Sequence, residues 1–570
     1  MRRFRTVGIV RLAALAAELV LVWFVFQGLS VWWLLTPAAV FLVLAEVQTR
    51  IANARGHCDR AAALYDQGLA RLNDSWAGKG ATGNRFRDAS HPYAEDLDLF
   101  GQGSLFELLS RARTRVGEET LAHWLLQPAS PDVVRARQEA VSELRPRLDL
   151  REDLALLSEG VRSGKDAQVL SAWATAPIWP LSPQLRATAI ALALVAVITF
   201  ILWIAGFGLV PLLLAFILGR VFAFRYRLPV KRVTSAVDAA ERDLALLSKV
   251  LSRFEQERFT SPRLMELRAA LDVAGLAPSQ QIARLNRLID LLDAQRNLMF
   301  ALLGILLLWE VQLAIAIERW RQSSGQSVDR WLAALGELEA LSSLAGHSYE
   351  HPQDPFPELA EGGRCFEGEA LGHPLIPESR NVRTDLRLSD ERERLLIVSG
   401  SNMSGKSTLL RTVGINTVLA QAGATVRAQR LRLSPLQVGA SIRINDSLQA
   451  GTSRFYAEIT RLRQIVELTT KMLPVLFLLD EILHGTNSHD RRIGAEGVVR
   501  GLIQRGAIGL VTTHDLSLAQ IADGLAPHAN NVHFEDHLEG GEMFFDYLLR
   551  PGIVQRSNAL ELMRSVGLEV

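Results

Sequence analysis

Cysteine is almost absent from this chain. Cys58 and Cys365 are the two present in 570 residues, too few for a disulfide framework, and no CxxC pair offers a zinc ligand set. That usage points to a reducing compartment. Net charge is nearly absent too: 62 basic residues face 61 acidic ones, for a formal charge of +1. Bulk electrostatics therefore gives no reason to expect a polyanion partner, and a nucleic-acid surface would have to be a local patch. Internal repeats and low-complexity segments are missing. With 49% apolar and 22% charged residues, the chain is not a disordered one. At roughly 150 residues per domain the length predicts three or four domains and closes a core without staples.

Apolar sequence is what the chain has in excess. Its mean hydropathy of +0.14 is high for a soluble chain of this size and directs attention to membrane segments. Ala187–Ala205 carries no charge and approaches the ~20 residues that cross a bilayer. Gly206-Phe207-Gly208 follows as a turn, then Leu209–Phe224, apolar apart from Arg220. The pair predicts a transmembrane hairpin, against the plainer reading of a buried helical hairpin. Leu12–Leu29, interrupted only by Glu18, and Val31–Val47, with Pro37 inside and Glu46 near its end, predict another. A cleaved signal peptide competes there, because MRRFR precedes the first run. Arg11 and Glu18, seven residues apart, could pair within that first segment, but marking the interfacial end of the helix is the plainer reading. Arg2, Arg3, Arg5, Arg50, Arg55 and Arg60 flank the first hairpin. Arg186, Arg225, Arg227, Lys231 and Arg232 flank the second, and neither turn holds a basic residue. The positive-inside rule then gives a multi-pass membrane protein with every large segment cytoplasmic and membrane lipid as a partner. Leu298–Trp309 is short for a span and meets Glu310, so it is expected as a buried helix.

These patterns divide the chain. Residues 1–50 form the first hairpin and 51–97 a polar linker, loop-like around NDSWAGKGATGN. Residues 98–185 are helical, from spacings such as Leu105, Leu108, Leu109 and Leu121, Trp124, Leu125. Residues 186–224 form the second hairpin and 225–350 a further helical region ending in Trp331–Ala345. After the Pro-broken His351–Phe356, short aliphatic runs alternate with helical stretches, the pattern of a mostly parallel α/β domain over 351–570. The Arg137–Arg151 tract is expected as a solvated helix face. His533 and His537 in HANNVHFEDH have metal-ligand spacing, but an exposed turn is the plainer reading.

The chemistry concentrates in that last domain. Gly400-Ser401-Asn402-Met403-Ser404-Gly405-Lys406-Ser407 fits GxxxxGK[ST], with the strand-like LLIV before it and a helical run from Thr408 after it. Glycines let such a loop wrap phosphate oxygens, and its N–H groups and the helix N-terminus face the anion. Lys406 would contact the β and γ phosphates and Ser407 would ligate Mg²⁺, so ATP and Mg²⁺ are the expected cofactors. Val475–Leu479 delivers Asp480-Glu481 at a strand end: Asp480 for the metal and Glu481 to polarise the attacking water. Val511-Thr512-Thr513-His514 repeats the pattern, with His514 placed to sense the γ-phosphate.

In these strings the sequence resembles the MutS family of DNA mismatch-repair ATPases, within the ABC ATPase class. Ser399–Thr408 (SGSNMSGKST) is close to that family's GPNMGGKST, and Asp480–Asp490 (DEILHGTNSHD) to its DEIGRGTSTYD. Thr513-His514 resembles its TH. Gly451–Glu458 is similar to its GxSTFxxE signature, whose Ser reaches the ATP of the opposing subunit, so the resemblance implies that role for Ser453 and a homodimer. Gly372-His373-Pro374 matches the His-Pro that opens the family's ATPase domain, which adds His373 to the nucleotide site. Residues 337–345 (ELEALSSLA) are similar to its lever helix, and Gly117, Leu121, Trp124, Pro128, Arg137-Gln138 and Val141 to the start of its core domain. Gly552–Gly567 resembles its last ATPase helix.

The resemblance thus implies a P-loop NTPase domain of the ABC class joined to an all-α lever domain, here with transmembrane hairpins. It implies a composite ATP site that moves the levers, with DNA binding by family analogy alone. Departures bear on that last point. Apolar hairpins stand where the family has its mismatch-reading domain and DNA clamp, and Phe356-Pro357-Glu358 lies in the linker. The sequence ends without the family's C-terminal dimer extension. Position 454 is Arg where the family usually has Thr, and Ser401 and Ser404 replace Pro and Gly. No aromatic residue stands where the family stacks on adenine; Asn381 or Val382 falls nearby. An ABC-type transport ATPase and a nucleotide-gated membrane scaffold are the alternatives.

Overall fold

The computed structural model describes all residues except 1, 29, 159–165, 178, 180–181, 273–274, 276, 295–303, 402, 444–453, 516–518, 540–541 and 555–570. The chain divides into two units, Met1–Asn73 and Asp74–Val570.

The first unit is a helical hairpin of α1 (Arg2–Phe26) and α2 (Leu35–Leu72), with a single 3-10 turn (Val31–Leu34) before α2. Arg11 does not pair with Glu18, which lies two helical turns away on the same helix. Its guanidinium instead donates to Gln48 Oε1 at 3.0 Å and lies over the Phe41 ring. The linker expected from residue 51 is also corrected. Helix α2 continues to Leu72, supported by i,i+4 pairs such as Arg50–Glu46 and Arg55–Asp59.

In the second unit, residues 74–104 run without long elements, yet they are not a free tether. The Tyr93 hydroxyl donates to Leu125 O at 3.1 Å, and Pro92 O accepts from Ala440 N at 2.8 Å. Asp96 Oδ1 accepts from the N–H groups of Ile442 and Arg443. Leu97 and Leu99 are fully buried. Four short helices follow: α3 (Leu105–Leu109), α4 (Arg115–Leu126), α5 (Pro131–Leu144) and α6 (Leu148–Ser158). Next come α7 (Asp166–Thr175), α8 (Pro183–Ile204), α9 (Val210–Arg225), α10 (Arg227–Glu255), α11 (Pro262–Leu271), α12 (Pro278–Ala294) and α13 (Trp309–Glu350). Residues 298–303, half of Leu298–Trp309, lie outside the described residues.

Helix α13, roughly 60 Å long at 1.5 Å per residue, is the spine of this region. The indole N–H groups of Trp320 and Trp331 on α13 donate to Gln281 O and Leu271 O at 2.8 and 3.0 Å, fastening α12 and the end of α11 to it. On its other side, Glu339 accepts from Thr114 N at 3.1 Å and from the Thr114 hydroxyl, closing onto the N-cap of α4. Arg137 is a further correction: it is buried, its guanidinium 3.8 Å from the centre of the Trp124 ring, because the residue that follows α14 (Lys406–Ala422), Gly423, packs against its stem.

Helices α8 and α9 form a second hairpin about Gly206 and Gly208, both at positive φ that a side chain would strain. Both helices are apolar all round, yet Ile198, Ile201, Ile204, Phe207, Val210, Leu214, Ile217 and Val221 are exposed. A water-facing helix ordinarily has a polar face; these two have none. Among the described residues, α2 and α8 are the two helices long and apolar enough to cross a membrane. Helix α9 has 16 residues.

From residue 358 the chain builds two sheets. The strands are β1 (Glu358–Leu359), β2 (Cys365–Leu371), β3 (Thr384–Ser389), β4 (Leu395–Ser399), β5 (Arg430–Leu433), β6 (Gln437–Ser441), β7 (Val475–Asp480), β8 (Ile508–Thr513), β9 (Ala529–Glu539) and β10 (Glu542–Pro551). The smaller sheet has the order β1-β5-β2-β3, and the larger β10-β9-β4-β8-β7-β6, parallel except for β10. Its helices are α14, α15 (Arg454–Leu468) and α16 (Ser488–Gln504).

Strand alternation explains why the central runs are apolar throughout. Leu396, Val398, Leu476, Leu478, Ile508 and Leu510 join the core shared with the helical region. Leu395, Ile397, Val475, Phe477, Leu479 and Val511 fill a second core against α15 and α16. A strand buried on both faces loses the polar half of its pattern. Mixed sheets plus this much helix fit a MutS-like fold.

Removing Glu339 strands the Thr114 N–H in a buried site. Glu339→Ala is expected to destabilise the second unit by about 2–4 kcal/mol. The urea midpoint, at unchanged slope, checks this; a midpoint equal to wild type contradicts it.

Candidate nucleotide-binding site

Parallel strands β4, β8 and β7 end together, in register: Ser399 opposite Thr513, and Asp480 opposite Thr512. Their C-terminal edge is where loops of an open α/β sheet build ligand sites. Gly400 leaves β4 at φ 152 and Gly405 enters α14 at φ 102, so the connecting loop folds over the helix N-terminus. A Cβ on Gly400 would lie 2.8 Å from the Ser404 hydroxyl. The site-bearing residues of this loop, Gly400, Ser401, Met403, Ser404, Gly405, Lys406, Ser407 and Thr408, are all described; Asn402 is not.

The sequence-predicted polar residues meet at this edge. Ser407 Oγ donates to Asp480 Oδ2 at 2.5 Å, and the Thr512 hydroxyl donates to the other oxygen, Oδ1. Lys406 Nζ donates to Gly400 O and Ser401 O at 2.8 and 2.7 Å and sits 3.5 Å from Glu481 Oε1. Burial pulls the Lys406 ammonium below its ordinary value, opposed by Glu481 and Asp480. His514 Nδ1 lies 3.3 Å from Glu481 Oε1. Burial also works against the Glu481 carboxylate, but Lys406, then His514 and His484, offset it and hold it below the usual range.

A cleft of about 750 Å³ opens over the loop. Gly405, Lys406, Ser407, Thr408 and Glu481 form its polar end; Leu371, Leu375, Ile376 and Val382 form an apolar slot. His373 lines the slot, buried, with Nδ1 accepting from Leu375 N at 3.2 Å and its backbone pinned by the Asn381 amide. Asn381 and Val382 line the same slot. Three non-glycine residues on this cleft, Met403, Glu481 and Tyr547, have positive φ, a concentration of strained backbone at one place.

A nucleoside triphosphate and Mg²⁺ suit these donors. The Ser401 and Ser404 hydroxyls are shielded from solvent and lack a hydrogen-bond partner among the described residues. They stand with the loop N–H groups where an anion's oxygens would be met. Ser407 and Asp480 offer the hard oxygen pair that Mg²⁺ prefers.

Ser453 lies outside the described residues, as does most of Gly552–Gly567. The His533–His537 reading is corrected. His533 is buried on β9, not in an exposed turn, and its Nδ1 donates to Gly552 O at 3.0 Å. Residues four apart on a strand lie about 13 Å from each other, too far to share an ion.

Some of the site escaped sequence reasoning. Thr512 belongs to the strand-then-polar Val511–His514 string, but nothing in that spacing gives it the role of holding Asp480. Tyr547 packs its ring near Gly405 from the far strand β10, without any motif. His484, whose Nε2 is 3.1 Å from Glu481 Oε2, sits in a turn where spacing carries no periodic signal.

An open α/β sheet carrying a phosphate-loop turn and a strand-end carboxylate pair is the architecture of a nucleotide-binding domain. Comparison with known proteins agrees. Residues 396–569 match MutS domain V, and residues 93–345 match MutS domain III. An endonuclease MutS2 of Thermus thermophilus is 33% identical over 251 residues, 44% of this chain and 32% of that protein. A DNA mismatch repair protein MutS 2 of Halobacterium salinarum is 34% identical over 247 residues, 42% of this chain and 27% of that protein. A DNA mismatch repair protein MutS of an Exiguobacterium species is 31% identical over 264 residues, 44% and 30% respectively. Together the two domain matches and these relatives support assignment of the chain to the MutS family. The chain spans less than a third of the length of these relatives.

Two histidines, His373 in the cleft and His351 at the end of α13, are held neutral. Burial pulls both His373 and His351 down to about 4, helped by Arg411 for the first and Arg427 for the second. The unfolded chain, with ordinary values near 6.5, takes up those protons first. Their contribution is therefore intact above pH 6.5 and declines as pH falls toward 4, by about 2 kcal/mol for each at pH 5. Thermal midpoints recorded from pH 7 to 4.5 should fall, and His373→Gln should flatten the curve; an unchanged slope in the variant contradicts this.

Proposed function

We propose that the chain is a membrane-anchored, MutS-like ATPase that binds ATP with Mg²⁺ between two copies of itself. One observation carries the enzymatic part: residues that follow three different strand ends meet as two adjoining sets, Ser407 with Asp480, and Glu481 with Lys406 and His514.

Residues 400–408 would wrap the triphosphate, with Lys406 on the β and γ phosphates and His373, Asn381 and Val382 along the base. Mg²⁺, held by Ser407 and Asp480, would neutralise phosphate charge. Glu481 accepts a proton from the attacking water, whose oxygen bonds to the γ-phosphorus while the bond to the β–γ bridging oxygen breaks, giving ADP and phosphate. His514 holds the Glu481 carboxylate in place and responds to loss of the γ-phosphate. Ser453 of each copy would complete the site of its neighbour. Helix α13 runs from this domain into the helical region and would carry the closure as a lever movement.

Lys406→Ala is expected to lower ATP turnover by about 100-fold or more. Glu481→Gln should lower it comparably while preserving nucleotide binding. Ser453→Ala matching wild-type turnover at saturating protein would overturn the shared site, and full turnover in Lys406→Ala would overturn the assignment itself.

Anchoring is supported by α8 and α9, apolar on every face and exposed, and by α2. The DNA-related role rests on the family. The purified chain should float with phosphatidylcholine vesicles and resist alkaline extraction, and Ile198, Ile201 and Leu214 changed together to Asp should weaken this. Titration with duplex and branched DNA at two salt concentrations then tests the DNA role, for which salt-sensitive binding is expected. A chain that stays with the soluble fraction contradicts the anchor, and no binding at micromolar protein removes DNA.

A further inference from the structure

Beside the hydroxyl–carboxylate pair that suits Mg²⁺ stands a second, chemically different set of donors. Glu481, His484 and His514 present one carboxylate oxygen and two imidazole nitrogens, all within 4.8 Å of one another. Glu481 Oε2 is 3.1 Å from His484 Nε2, and Glu481 Oε1 is 3.3 Å from His514 Nδ1. Two ligands on a tetrahedral zinc with bonds of ~2.0–2.1 Å lie about 3.4 Å apart, close to both distances. The imidazole rings are stacked 4.8 Å apart at 29°, so both must rotate about their side-chain bonds for their in-plane lone pairs to converge on one ion.

The backbone fixes this set in advance. Glu481 and Leu483 both have positive φ, and the turn between them is held by the buried Glu458 carboxylate, which accepts from Leu483 N. That turn presents Glu481 and His484 on one side, and β8 ends by bringing up His514. In the segment similar to DEIGRGTSTYD, position 484 is His where that string has Arg, a side chain that is always charged and cannot ligate an ion. Glu481 and His484 are half-buried and His514 is exposed, which leaves a fourth position open to water.

We propose that Glu481, His484 and His514 form a site for a borderline divalent transition ion, Zn²⁺ being the probe, distinct from the Mg²⁺ position at Ser407 and Asp480. Two imidazoles with one carboxylate select such ions over Mg²⁺, which prefers oxygen donors. An ion there draws the Glu481 carboxylate onto itself and away from the attacking water, so it acts as a brake on hydrolysis. The brake rests on the ATPase reading above; the site itself does not.

The test is a Zn²⁺ titration of the metal-stripped full chain with a chromophoric competitor and millimolar Mg²⁺ present, alongside the cobalt absorption spectrum. Wild type is expected to bind one more ion per chain than His484→Ala or His484→Gln, and to give cobalt ligand-field bands that both variants lose. Equal stoichiometry and equal spectra in wild type and both folded variants, judged by unchanged thermal midpoints, would overturn the site. Turnover separates the two readings: Zn²⁺ should inhibit wild type at least 10-fold more strongly than His484→Ala. A chain that binds the extra ion but never hydrolyses ATP sinks the ATPase and keeps the site. One that hydrolyses ATP with equal Zn²⁺ sensitivity in both proteins sinks the brake.

Discussion

A single carboxylate holds the working edge of this protein together. Asp480 receives the Ser407 hydroxyl on one oxygen and the Thr512 hydroxyl on the other. It thereby ties the first turn of α14 to two neighbouring strands of the larger sheet. Around that point the rest is forced. The phosphate-type loop must reverse over the helix N-terminus, which requires Gly400 and Gly405 at positive φ. The chain leaving β7 must turn sharply after Asp480, which puts Glu481 between Lys406 and the two histidines. Charge is crowded here in a partly dry cleft, so each ion influences its neighbours far more than it would in water.

The cleft also has a physical route to the long helix. Its rim includes Ser379, Arg380, Asn381 and Val382, beginning immediately after Glu378. Arg427 donates to Glu378 Oε2 at 2.7 Å and to Asp354 at 3.2 Å, and lies 3.2 Å from His351 Nδ1. His351 is the residue that ends α13, and Glu350 before it pairs with Arg111. A guanidinium that engages both the rim and the helix end is suited to passing displacement between them, because its planar fork fixes direction as well as distance. Glu378 is exposed, while the Arg427–Asp354 pair is mostly buried. A buried pair adds little net stability but punishes the loss of one partner, so it acts better as a register than as glue.

Much of the nucleotide site was legible because its chemistry is local in sequence. A glycine-rich turn, a lysine and a hydroxyl in one octapeptide, and a carboxylate pair after an apolar run, each declare themselves by spacing. The helical region and the α/β pattern were legible from periodicity for the same reason. What stayed hidden depends on tertiary neighbours. Arg137 sits in an amphipathic helix like any surface arginine until Trp124 and Gly423 close over it. Tyr93 and Leu97 belong to an aperiodic stretch, and their burial follows from docking against α4 and α14. The extension of α2 past residue 51 runs through a polar, charged stretch, with Arg55 and Asp59 paired at i,i+4, which gives a weaker apolar pattern to read. Tyr547 reaches the cleft from a strained position, and His484 reaches Glu481 directly after the strained Leu483, so backbone conformation and not residue pattern sets direction.

On the proposed reading, the edge built around Asp480 receives a triphosphate and shares it between two copies. A structure of the full chain with Mg²⁺ and a non-hydrolysable ATP analogue tests it most directly. Phosphates wrapped by residues 400–408, the ion on Ser407 and Asp480, and the Ser453 hydroxyl of a second copy on the γ-phosphate are expected. Nucleotide bound elsewhere, or a complete site in a lone copy with Ser453 turned away, would contradict it.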